Sequence, residues 1–270
     1  MSPELLFWYG LALKMAMTAA IVVAASVAVE RSGPFIGALI AALPTAAGAA
    51  YIILAIEHPP AFIAGSAVGS AAANAAVAIF ALVYAVLAQR HGIVLSIGVA
   101  TLIWFGAAAA LRLVEWTPAG AFALNVGVFA VTVPASAGYR LPAPPRGSIR
   151  RTRYDLPLRA AAAALVVAVV TTISHEIGSF ASGTFAVFPI VMGSLAVVLH
   201  PRVGGKAAAA VFSHAQPALF GLGLGFLGVH YLAERIGVWW AFAAGLAITM
   251  AWSSGLWLLR RAQARAAGAD

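Results

Sequence analysis

The chain has 270 residues, of which 63% are hydrophobic and only 9% charged, with a formal charge of +8. A soluble domain carries about 25% charged residues, so no water-facing surface can be built from this composition and the surrounding solvent must be lipid. The absence of cysteine excludes disulfide frameworks, thiolate catalysis and Cys-type metal sites, and the basic balance reads as membrane topology instead of nucleic-acid binding.

A hydrocarbon core about 30 Å thick takes roughly 20 apolar residues. That rule predicts an all-α polytopic protein of about nine spans, near 5–29, 35–56, 61–88, 93–114, 118–138, 158–174, 181–200, 206–230 and 237–259. The run after Pro3 is longer than a signal-peptide core and nothing basic precedes it, so it is expected to be span one instead of a cleaved leader. Lys14 stands about 14 Å inside that span by helical rise. A lysine at such depth costs roughly 2.5–3.5 kcal/mol unless it snorkels or is paired; facing a cavity, it is a candidate site residue.

Spans two and seven carry Pro44 and Pro189 about mid-membrane. Proline removes an amide donor and clashes with the carbonyl four residues back, and a freed carbonyl in lipid needs protein, water or solute to satisfy it. Each proline is followed four residues later by glycine, Gly48 and Gly193, which permits close approach. The segments Leu43 to Gly48 and Phe188 to Ser194 are therefore expected to be broken helices lining a central site, with Pro44, Thr45, Gly48, Pro189, Gly193 and Ser194 as candidate substrate-binding residues. A packing kink is the plainer account.

Span three places Asn74 on a face of small residues, and span eight has Ser213-His214-Ala215-Gln216-Pro217 at similar depth. An amide in hydrocarbon seeks an internal partner, so Asn74 reads first as an interhelical clamp. His214 and Gln216 lean towards solute binding, and His214 titrates near neutrality. The eight acidic residues fall at span ends or in loops; with no carboxylate at the midplane, a neutral or anionic solute is favoured over a metal ion. No metal or other cofactor is expected. His175-Glu176 superficially resembles the His-Glu-x-Pro-His-Glu metal helix of ZIP zinc transporters. Thr171-Thr172 replaces the first ligand pair there, and Ser174 the proline, so no metal role follows.

Sliding the sequence on itself by 145 positions matches Tyr9 with Tyr154, Gly33 with Gly178, Phe35 with Phe180, Pro44 with Pro189 and Gly48 with Gly193. After a gap of three, His58-Pro59 meets His200-Pro201 and Asn74 meets Gln216; Arg90 and Gly92 then meet Arg235 and Gly237 at the original shift. Five spans separate each residue from its counterpart, and an odd number inverts the second copy. The expected organisation is a first repeat with connecting span five (1–138), a cytosolic Arg- and Pro-rich linker (139–157) and a second, inverted repeat (158–270). With that linker inside the cell, 13 of the 16 basic residues face inward. The N-terminus is then outside and the C-terminus cytoplasmic in a bacterial inner membrane.

The segment from Ser182-Gly183 through Phe188-Pro189 to His200, echoed from Ser32-Gly33 to Pro44, resembles small bacterial membrane proteins of the GlpM type. These carry a Gly-x-x-x-x-Phe-Pro pattern in a short hydrophobic chain; Leu43 departs from it in the first copy. The resemblance implies a duplicated integral membrane protein and little about activity.

Inverted repeats with interrupted helices are a transporter design, so a secondary transporter or exporter of a small solute is the leading expectation. The alternative is a non-transporting subunit or scaffold whose linker arginines bind anionic lipid headgroups or a partner. A homodimer is compatible with either. No paired carboxylates, ligand cluster or activated nucleophile supports an enzyme.

Overall fold

The computed structural model of the chain describes residues 3–31, 45–140 and 155–266. Among these, all regular secondary structure is helical: α1 (Pro3–Arg31), α2 (Thr45–Glu57), α3 (Pro60–Leu87), α4 (Ile93–Leu111), α5 (Pro118–Ala135), a 3-10 turn Ala137–Tyr139, α6 (Asp155–Ala186), α7 (Ile190–Val203), α8 (Gly205–Ile236) and α9 (Val238–Ala266). Six described stretches are long and apolar enough to cross a bilayer: Pro60–Leu87, Ile93–Leu111, Pro118–Ala135, Leu156–Val203, Gly205–Ile236 and Val238–Gln263. That is the make-up of a multi-pass membrane protein. Pro44 and residues 141–154 of the linker lie outside the described residues.

Helix ends follow local chemistry. Proline occupies the first turn of α3 and α5, where a missing amide costs nothing, and the Thr117 hydroxyl accepts from the Gly120 amide at 3.0 Å to cap α5. Three corners fall on glycine: Gly178 within α6 (φ 79°, ψ 174°), Gly204 before α8 (φ 82°, ψ 159°) and Gly237 before α9 (φ 86°, ψ 152°). A Cβ is excluded from that backbone region. The helical run that begins at Asp155 therefore bends at Gly178 and continues to Ala186, where a gap between spans at 174–181 was expected.

Pro189 interrupts span seven as expected. Residues 187–189 leave the helix, and the Pro189 carbonyl restarts it by accepting from the Gly193 amide at 2.8 Å. Pro217 behaves differently: α8 runs through it unbroken. Proline deprives the Ser213 carbonyl of its helical donor, and Arg140 Nε supplies a replacement at 3.2 Å.

The core is built around α3, whose spanning window is 72% buried, against 11% for peripheral α9. Helices α3 and α8 lie antiparallel along their length. His230 Nδ1 is 2.9 Å from the Ala64 carbonyl at one end, and a Cβ on Gly205 would strike the Ala88 carbonyl at the other. Glycine also sets the α3–α6 crossing, where a Cβ on Gly69 would hit the Phe180 carbonyl and one on Gly183 the Ser66 carbonyl. Between apolar helices in lipid, such close backbone approach provides the packing that association depends on.

Candidate functional site

The first turns of the two helices that follow the prolines share one packed cluster. Ala46 of α2 is buried there with Val22 of α1 and with Ala160 and Ala163 of α6, and Ile190 and Val191 of α7 pack against it. Helix amides at a first turn lack intrahelical partners and carry the positive end of the helix dipole.

Each of the two helices borders its own cleft. Gly48, Tyr51 and Ile52 of α2 face Leu222 and Phe226 of α8 and Phe242 and Leu246 of α9 across about 330 Å³. Pro189, Gly193, Ser194 and Val197 of α7 face Phe80 of α3 and Ile97 and Thr101 of α4 across about 270 Å³. The linings correspond under the shift of 145: Gly48 to Gly193, Ile52 to Val197, Ile97 to Phe242 and Thr101 to Leu246. Phe80 and Leu222 correspond under the shift of 142. Both glycines open their clefts, since a Cβ on Gly48 meets nothing within 4 Å and one on Gly193 only Ile97 Cδ1 at 3.7 Å.

The amides form a separate network. Asn74 Nδ2 donates to Asn125 Oδ1 and to the Leu219 carbonyl, both at 2.9 Å. Asn125 Nδ2 donates to the carbonyls of Ala71 (2.6 Å) and Ala121 (2.8 Å). Gln216 Nε2 donates to the Ala78 carbonyl at 2.8 Å, while its Oε1 accepts from Thr132 Oγ1 at 3.2 Å. Asn74 and Gln216 thus reach reciprocally across the α3–α8 seam, and α5 clamps both. Their amide groups donate across the helix seams, while Asn74 Oδ1 is buried without a partner. His214, two residues before Gln216 and so on another side of the helix, is exposed on α8.

Lys14 is held in an ion pair. Its Nζ lies 2.7 Å from Glu57 Oε1, the last residue of α2. Next along the chain, His58 Nε2 sits 2.7 Å from Ser174 Oγ of α6, and its ring lies 3.7 Å from that of Phe62 and 4.2 Å from that of His175. Burial first, and then the neighbouring His175, lower the His58 pKa below the ordinary imidazole value; Glu57 acts in the opposite direction and Lys14 in the same. Among the described residues no three His, Cys, Asp or Glu side chains are placed to hold a metal ion.

The structure therefore spreads the candidates over four places: Pro189, Gly193 and Ser194 in one cleft, Gly48 in the other, Asn74 and Gln216 in the seam, and Lys14 in an ion pair. Thr45 opens α2. Glu57, His58, Ser174, His175, Thr132 and Asn125 were not among the site residues expected from sequence. The repeated His-Pro at 58 and 200 was the one visible signal. His200 likewise reaches across the bundle, with Nδ1 3.0 Å from the Tyr84 hydroxyl. No protein-family model, curated protein or solved structure matches the chain.

Proposed function

We propose that the chain is a secondary transporter or exporter of a small neutral or anionic solute, built from two inverted-topology repeats of about nine spans. The solute would bind where α2 and α7 begin. The observation that carries this reading is that both first turns border one packed cluster, each beside a cleft lined at equivalent positions. The positive dipole ends of the two helices suit a neutral or anionic ligand better than a cation. Antiparallel pairing of α3 with α8 agrees with an inverted second copy, and a GlpM-like unit would be the ancestral half.

The orientation proposed is N-terminus outside and C-terminus in the cytoplasm of a bacterial inner membrane. The contact between Ala88 and Gly205 gathers Arg90, Arg202 and Lys206 at one end of the bundle, and Arg140, bonded to the Ser213 and Val133 carbonyls, lies there with Arg260.

The test is flux of a solute panel into vesicles carrying the chain, comparing native protein with a Pro44→Ala/Pro189→Ala double variant. Retained helix content with at least a tenfold loss of flux is the expected outcome. Native-like flux in the double variant would remove the broken helices from the mechanism. The basic end also favours a second reading, a scaffold that binds anionic headgroups through its arginines. Replacing the linker arginines would abolish that binding and leave flux intact.

A further inference from the structure

We propose that Glu57, His58 and His175, with Lys14 as counter-charge, form a proton-binding site that couples proton uptake to separation of α6 from the α2–α3 corner. This deepens the transport reading and rests on it, by naming the proton as the coupling ion.

Four helices meet at this cluster. Lys14 comes from α1, Glu57 from the end of α2, Phe62 from α3, and Ser174 and His175 from α6; His58 is the joint between α2 and α3. Ser174 Oγ also lies 2.9 Å from the Thr171 carbonyl; with its hydrogen given to that carbonyl it accepts from His58, and Nε2 of the ring carries the proton in that arrangement. Nδ1 is then the basic nitrogen of the neutral ring.

A proton taken from water adds at Nδ1 and creates an imidazolium 4.2 Å from the His175 ring and near the Lys14 ammonium. The charged and titratable groups facing His58 are Lys14 on α1, Glu57 on α2 and His175 on α6, and Glu57 is the only anion among them. One of its oxygens is committed to Lys14, while Oε2 is buried without a partner. Protonation at Nδ1 leaves the Nε2–H bond to Ser174 in place, so the drive to separate comes from charge. Burial, His175 on α6 and Lys14 on α1 oppose the imidazolium, and Glu57 alone favours it. Unlatching α6 from the α2–α3 joint relieves that opposition and admits water to the ring. Below the latch, α6 bends at Gly178.

The sign follows from the environment of the latched ring. The latched state holds His58 below its ordinary pKa of about 6.5, so it favours the neutral ring. The latch is fully formed above that value and weakens as pH falls from it through the lower latched-state pKa. Across this window the latched-to-unlatched ratio should drop about tenfold per pH unit.

The chain has no cysteine, so Ile56→Cys and Val169→Cys, both at exposed positions on α2 and α6, accept a pair of spin labels in lipid vesicles. One distance is expected at pH 8, with a longer component growing below about pH 6.5. His58→Gln, whose amide can still donate to Ser174, should hold the short distance at every pH. Ser174→Ala, which leaves all titratable groups in place, should bring the longer component in at higher pH. A native distance that does not change between pH 8 and pH 5, or an unchanged response in His58→Gln, would overturn the proton site. The vesicle flux assay separates the two readings: solute flux with no proton-dependent movement sinks only the proton site, and movement without flux sinks only transport.

Discussion

At the scale of single residues, the polar groups inside this chain act by completing what the backbone leaves open. Arg140 is the clearest case, because its Nε occupies the Ser213 carbonyl that Pro217 leaves without a helical donor. Arg140→Ala should therefore cost about 1–3 kcal/mol, the desolvation cost of one buried orphan acceptor. Pro217→Ala restores the helical amide, so in its presence the same arginine substitution should cost less than half as much. Unfolding of the four variants in bilayers gives the cycle; equal costs in both backgrounds would show that Arg140 acts elsewhere. In the seam, Asn125→Ala removes two donated bonds and one accepted bond. It should destabilise more than Thr132→Val, which removes one, although interhelical bonds in membranes average only about 0.6 kcal/mol each. Neither pairing was readable from sequence, since an amide in an apolar run announces that it has a partner but not which helix provides it.

Helical elements here are interrupted where sequence chemistry demands it, and the interruptions do different things. Pro189 ends one segment and starts α7, whereas Pro217 passes inside α8 because a neighbouring guanidinium satisfies the freed carbonyl. Gly178 holds a backbone conformation that only glycine adopts readily. Gly178→Ala should accordingly destabilise the fold by about 1–3 kcal/mol, or straighten the bend and lengthen the spin-label distance between α6 and α2 at pH 8. Its Cβ position is otherwise open, with nothing within 4 Å, so a loss of stability there reports backbone strain and not a clash. By contrast, Gly48→Leu fills a cleft without a backbone penalty and should leave unfolding within about 0.5 kcal/mol of native, while reducing flux if the cleft is used.

For the whole molecule, the proposed orientation rests on where the basic residues collect. Arg90, Lys206, Arg140 and Arg260 gather at one end of the bundle, whereas Arg235 lies at the other, where His230 meets Ala64. With His91→Cys and Glu115→Cys placed singly at exposed positions at either end of α4, a membrane-impermeant thiol reagent should label only Glu115→Cys in intact cells. Labelling of His91→Cys alone would turn the protein over. The amino-acid sequence by itself determined the solvent, the rough places of the spans and the break at Pro189, because hydropathy, proline and glycine act within a turn or two of chain. It also carried the 145-residue correspondence that relates the two clefts. Tertiary structure alone decided that Lys14 would meet Glu57, that His58 would bond Ser174 and face His175, and that Asn125 would hold Asn74. Those contacts join helices far apart in the chain, and lipid gives no local periodic signal of which small-residue face will seat against which.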